Sequence, residues 1–188
     1  GVQTCALPIY DDDKNGTNSG SMYVYDLTKN SGDAGFERKI TASDGAEYDY
    51  FGWSVAIDGT TLVVGAWTDD NGMGSGSVYV YDLTKTINDE AFERKITASD
   101  GASNDYFGIS VAIDGTTIVV GAIWDDDNVT DSGSVYVYDL TKTINDEGFE
   151  RKITVSDGAA GDRFGRSVAI DGTTLVVGAF YDDDNGTD

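Results

Sequence analysis

Apolar and polar residues alternate through SVAID (Ser54–Asp58), and the following TTLVVGA (60–66) is almost unbroken in its apolar character. The alternation predicts a strand with one buried face, and the run predicts a short strand covered on both faces. Between them, Asp58-Gly59 supplies a two-residue hairpin of the kind that needs positive φ. SVYVYDLT (77–84) is β-branched and aromatic, with high strand propensity. FERKITAS (92–99) carries Glu93, Arg94 and Lys95 at its middle, which suits an outer edge strand that must not pair with a neighbour. The pattern therefore predicts a unit of four antiparallel strands.

That unit recurs. FG-x-SVAIDGTT-[LI]-VVGA starts at Phe51, Phe107 and Phe164, a period of 56 and then 57 residues. YVYDLTK recurs in phase after Ser21, Ser77 and Ser134, and FERKIT begins at Phe36, Phe92 and Phe149. Tyr10 and Tyr181 stand at one phase of the repeat, so the window holds three periods of an expected longer array. Four short strands at this period point to the blades of a β-propeller. A stacked solenoid is the other repeat architecture, but its periods are mostly shorter. The predicted fold is all-β, an open arc with complete blades at 51–106 and 107–163. Residues 10–50 supply the last two strands of one further blade, and 164–188 the first two of another. Normal rings close with about four to eight blades, so further blades of the same chain are expected to continue the arc.

Charge narrows the partners. Thirty-four acidic against twelve basic residues give a formal charge of −22, which repels nucleic acid and anionic membranes and attracts cations. The chain has no histidine, which removes Ser-His-Asp and Cys-His catalysis and imidazole metal sites. Its single cysteine forms neither an internal disulfide nor a thiolate zinc site. No apolar run is long enough for a membrane-spanning helix.

The recurring FG-x-SVAIDGTT-[LI]-VVGA, followed by Asp-rich stretches and SGS, resembles the FG-GAP repeat of integrin-like β-propellers, over residues 10–188. It is closest in pattern to the integrin-like repeat proteins of microbes. The resemblance implies an extracellular or cell-surface propeller used in adhesion or recognition. There are two departures. Gly-Ala is followed by Trp67, Ile123 and Phe180, where the integrin motif has proline. The integrin calcium loop lies between the first two strands, where this chain has only IDGTT, too short to wrap a cation needing six to eight oxygens. Residues 1–9, GVQTCALPI, hold the only cysteine and the only proline and resemble a translated sequencing adapter; a divergent capping strand is the alternative.

In an up-and-down blade the loop joining strands two and three shares a face with the loop leading to the next blade. The first kind of loop carries Asp11, Asp12 and Asp13; Asp69, Asp70 and Asn71; Asp125, Asp126 and Asp127; and Asp182, Asp183 and Asp184. The second carries Asp44 and Asp49, Asp100 and Asp105, and Asp157 and Asp162. One face is thus expected to be rich in carboxylates. These acids are read either as Ca²⁺ ligands, with Asp and Asn oxygens beside backbone carbonyls, or as turn residues that satisfy their own backbone. Asn15, Asn128 and Asn185 head N-glycosylation sequons, relevant to a secreted eukaryotic protein. Phe51, Phe107 and Phe164, with the tyrosines of strand three, are placed to pack between blades, while Trp67 and Trp124 offer a carbohydrate platform. Because the acids recur equally in every unit, no asymmetric catalytic pair is marked, and the expected role is binding of a protein or glycan rather than catalysis. An acidic structural array and the non-catalytic part of a secreted enzyme are the alternatives.

Overall fold

The structure, a computed structural model, describes residues 15–69, 74–126 and 129–183. Its twelve strands are β1 (Met22–Tyr25), β2 (Glu37–Ile40), β3 (Ser54–Asp58), β4 (Thr61–Ala66), β5 (Ser77–Asp82), β6 (Glu93–Ile96), β7 (Phe107–Asp114), β8 (Thr117–Ala122), β9 (Ser134–Asp139), β10 (Glu150–Ile153), β11 (Ser167–Asp171) and β12 (Thr174–Gly178). They form two four-stranded antiparallel sheets, β3-β4-β5-β6 and β7-β8-β9-β10, and two pairs, β1-β2 and β11-β12. Strands β3, β7 and β11 are neighbours in space, as inner strands of successive blades are. The architecture is an open arc of an all-β propeller. Among the described residues no helix is long and apolar enough to cross a membrane.

Local chemistry explains the strands. Asp58 pairs with Thr61, so the hairpin loop is Gly59-Thr60 and Asp58 remains in the strand. Gly59 has φ 56°, matching the primed turn with glycine first. The Asp58 carboxylate is used elsewhere: its Oδ2 accepts the Gly115 N–H of the next blade's hairpin at 2.6 Å, and Asp114 accepts that of Gly172 at 2.6 Å. One hairpin thus positions the next.

Strand β4 is buried on both faces, as its apolar run predicts. Leu62 and Val64 join Met22, Ile40, Phe51, Tyr79 and Phe92 in one core, while Val63 joins Val78, Phe107, Ile118, Val120 and Phe149 in the next. The hydrophobic layers therefore lie between blades, each buried Val or Leu contributing about 1.5–3 kcal/mol. Phe51 and Phe107 meet the tyrosines of strand three edge-on, with centroids at 5.4 Å from Tyr79 and Tyr136 respectively. Blades approach closely at Gly65, where a Cβ would lie 2.0 Å from the Gly108 carbonyl oxygen. Ser54 Oγ donates to the same oxygen at 2.7 Å.

The edge strands carry more than a guard against mispairing. Glu93 accepts from Ser43 N at 3.2 Å in the preceding loop and from Tyr81 OH at 2.8 Å. Arg94 Nη2 donates to Lys142 O at 3.1 Å, and its guanidinium lies 4.7 Å from the Phe149 ring centre in the next blade. The charges of ERKI are links between blades.

Candidate recognition face

The strand-two-to-three loops and the blade-to-blade loops meet on one face, joined by backbone bonds. Tyr48, Tyr50 and Phe51 donate to Thr17, Asn18 and Ser19 (2.9, 3.1 and 3.1 Å), and Tyr106 and Phe107 donate to Gly74 and Ser75 (3.0 and 3.1 Å). Tyr50, Tyr106 and Arg163 hold positive φ at equivalent positions (53°, 57° and 57°), where the chain turns into the next blade.

Each complete blade clamps the first aspartate of its loop. Asp125, 3% exposed, accepts from Ser134 Oγ at 2.9 Å and Tyr136 OH at 2.6 Å, and lies 2.7 Å from Lys152 Nζ. Lys152 also reaches Asp100 of the preceding loop at 2.8 Å, to which Tyr136 is bonded at 2.7 Å. The earlier blade repeats the arrangement. Asp69 accepts from Tyr79 OH and lies 3.1 Å from Lys95, which reaches Asp44 at 2.7 Å. Burial pulls the Asp44 carboxyl up, but the bonds from Lys95 and Tyr79 outweigh it and hold the group below its ordinary value. The Tyr79 and Tyr136 hydroxyls are pushed up by burial first and then by bonding to their aspartates, so they remain neutral donors. Asp69 and Asp125 therefore have their oxygens engaged by lysine and tyrosine.

The other acids divide by position. Asp49, Asp105 and Asp162 are buried and accept the backbone N–H three residues earlier, from Ala46, Ala102 and Ala159 at 2.5, 2.6 and 2.6 Å. They are turn residues in this respect. Burial, with the nearby Asp125 and Asp126 charges, raises Asp105 to about 6 against the Ala102 bond and Lys152. Asp126, Asp182 and Asp183 are exposed. Asp11, Asp12, Asp13, Asp70, Asn71, Asp127 and Asp184 lie outside the described residues, as do Asn128 and Asn185. Asn15 donates its side-chain amide to Ala42 O at 3.4 Å. Among the described residues no three acids gather into a metal-binding group.

Beside the carboxylates runs an aromatic row. Tyr50 stacks on Trp67 (5.5 Å), Trp67 meets Tyr106 edge-on (4.5 Å), and Tyr106 leans on Trp124 (5.0 Å). Arg163 lies over Trp124 at 5.2 Å and over Tyr181 at 4.6 Å. A shallow cavity of about 310 Å³ opens among Glu47, Tyr48, Tyr50, Trp67, Asn104 and Tyr106. Sequence reasoning placed Trp67 and Trp124 at the loop starts but missed the tyrosines at 50 and 106. It also missed the lysine clamp. The signal for that clamp was present, since Lys39, Lys95 and Lys152 recur in phase with the loop aspartates.

Among curated proteins none matches the sequence. The family model of the FG-GAP repeat matches residues 35–81, 91–138 and 148–188. Those matches cover most of the chain and follow the period seen in the blades, so the chain belongs to the FG-GAP repeat family.

Proposed function

We propose that this chain is a non-catalytic recognition module working outside the cell or at its surface, with the loop face as its binding surface for a protein or glycan. The observation that carries this reading is the row Tyr50–Trp67–Tyr106–Trp124 beside the clamped carboxylates. Aromatic faces supply contact area at small conformational cost, and the lysine clamps fix the loops before a ligand arrives. The acidic surface disfavours nucleic acid and anionic lipid. The test is to probe the chain against glycan arrays and extracellular proteins, comparing Trp124→Ala with Asp58→Asn on the opposite face. A ligand weakened at least about tenfold by Trp124→Ala, with the melt retained, fits a central aromatic anchor. Binding lost only with Asp58→Asn would reject this face.

A second reading adds Ca²⁺. It is favoured by the negative field that Asp125 and Asp126 exert on Asp105, which a cation beside the loop would relieve. Among the described residues of that loop, the exposed Asp126 is the carboxylate left for it, since Asp125 is held by Lys152. A melt in EGTA against millimolar Ca²⁺, with Mg²⁺ as control, decides the point: binding to the folded form stabilises it by about 2.7 kcal/mol at a hundredfold excess over Kd and so raises the midpoint. An unchanged midpoint rejects the cation.

A further inference from the structure

We propose that the outer edge of the arc carries a second binding surface, where two equivalent cavities between blades take lysine or arginine side chains of a basic protein segment. Each cavity lies between the turn joining the last two strands of one blade and the stretch that follows the last strand of the blade before. The first, of about 480 Å³, is lined by Ile87, Asp89, Phe92 and Glu93, with Ala42 and Ser43 opposite. The second, of about 520 Å³, is lined by Ile144, Asp146, Phe149 and Glu150, with Ala98 and Ser99 opposite. Their sequences make them twins, since TINDEAFE (86–93) and TINDEGFE (143–150) differ only at Ala91 and Gly148. Neither shares a lining residue with the cavity beside Trp67.

Each cavity combines apolar and charged walls. Phe92 and Phe149 are buried core residues, whereas Ile87 and Ile144 are 63% and 69% exposed and belong to neither hydrophobic core. The first unit has Ser31 at the same place, so the turn does not require isoleucine. Glu93 accepts from Ser43 N at 3.2 Å and Tyr81 OH at 2.8 Å. Glu150 likewise accepts from Ser99 N at 3.1 Å and Tyr138 OH at 2.8 Å. All these donors are neutral. On the loop face, by contrast, Lys95 and Lys152 pair with Asp44, Asp69, Asp100 and Asp125. Asp89 and Asp146 add a second carboxylate to each cavity, accepting from Ala91 N at 3.0 Å and Thr143 N at 2.7 Å. Among the described lining residues of both cavities there is no lysine or arginine.

A long basic side chain matches both walls at once. Its methylene stem lies against the isoleucine, and its cationic head reaches the carboxylates. The formal charge of −22 draws basic partners from a distance and repels anionic ones. One exposed isoleucine would be ordinary. The same isoleucine beside the same carboxylates at consecutive junctions instead offers two anchors in register. A partner with two suitably spaced basic residues engages both, and the second contact forms at a high effective concentration. That spacing favours an extended basic segment over a small cation. The surface is separate from the aromatic row, so a ligand can occupy each.

The experiment is fluorescence anisotropy of a labelled oligolysine with the full chain at physiological salt. A peptide of about twenty residues extends to roughly 65 Å and so spans neighbouring blades. Ile87→Ser with Ile144→Ser keeps the net charge and should keep the melt, yet weaken binding about tenfold or more, each single change doing less. Glu93→Gln with Glu150→Gln should weaken it more than Asp126→Asn with Asp183→Asn, which removes the same charge at exposed loop positions. Equal binding by the parent and the double serine variant means attraction by net charge alone and overturns the proposal, as does an equal loss in the two charge-matched pairs. Binding lost with Trp124→Ala and kept with the serines places the peptide on the loop face; it overturns the edge cavities and leaves the recognition reading standing. No binding of oligolysine overturns the proposal too. So does a chain that doubles its mass in light scattering until the isoleucines are replaced, since the occupant is then a second copy.

Discussion

The same five residues, TLVVG, form β4 in a complete blade and β12 in a half blade, and their surroundings differ throughout. Leu62, Val63 and Val64 are fully buried between neighbouring sheets, whereas Val176 is 63% exposed. Both copies make the same hairpin with the strand before them, in the same register. Local sequence therefore sets the strand and its turn, while burial depends on which unit lies alongside. The stability of such an array is a sum of unit and interface terms, and among the described residues no further sheet covers Val176 as one covers Val63.

The sharpest test exchanges the twin valines for a charge. Val63→Asp places a carboxylate in the layer shared with Phe107 and Ile118, with no partner, and should cost more than about 4 kcal/mol and abolish the cooperative melt. Val176→Asp, at an exposed site, should shift stability by about 0.5 kcal/mol or less. Denaturant titration of the two variants reads the difference. Equal losses would mean that the end blade is as enclosed as the middle one.

Next in size are the twin glycines. A methyl on Gly65 meets the Gly108 backbone oxygen at 2.0 Å, so Gly65→Ala must push two blades apart, at about 1–3 kcal/mol or more. At Gly178 the near atom is the Ser167 Oγ at 2.5 Å, the end of a side chain that can rotate, so Gly178→Ala should cost clearly less. Thermal melts of both variants check the order, and a larger loss at Gly178 would contradict the close approach as the reason for glycine.

These contrasts also show what was legible in the sequence. Hairpins, strand order and blade period follow from patterns within one unit, since a two-residue turn and an alternating strand are local facts. The lysine clamp was legible only as a recurrence of Lys39, Lys95 and Lys152, without its partners. Lys95 joins Asp69 of its own blade to Asp44 of the loop before it, and periodicity alone does not say which copy of an aspartate a lysine will meet. The charges of ERKI read as protection for an edge because their partners, such as Lys142 and Phe149 for Arg94, lie about fifty residues away. The acids of the loops read alike, yet folding buries Asp69, Asp105 and Asp125 and leaves Asp126 exposed.

The arginines extend the comparison to a smaller effect. Arg94→Ala loses a bond to a carbonyl and a guanidinium–ring contact, together worth about 1–2 kcal/mol at a partly buried site. Arg151→Ala, at the same place in the last ERKI but exposed, should change stability by about 0.5 kcal/mol or less. A double-mutant cycle of Arg94 with Phe149 isolates the ring contact; a coupling near zero would confine the arginine's role to its backbone bond.

The smallest expected effect is a pH dependence on the loop face. Asp105 is raised to about 6, by burial first and by the charges of Asp125 and Asp126 next, from an ordinary value of 3.8. Between roughly pH 4 and 6 the folded chain holds this proton more tightly than the unfolded chain does, so the stabilising contribution is complete below that window and is lost as pH rises through it. With solvent screening the change should be about 1 kcal/mol. Asp105→Asn keeps an oxygen to accept the Ala102 N–H and removes the titration, so subtracting its stability-versus-pH curve from that of the parent isolates the step. Asp126→Asn removes one of the charges that raise Asp105 and should move the step to lower pH. A difference curve that is flat from pH 4 to 6 would mean that the loop face already compensates the buried carboxylate, and that its lysine clamps reach further than the bonds to Asp100 and Asp125.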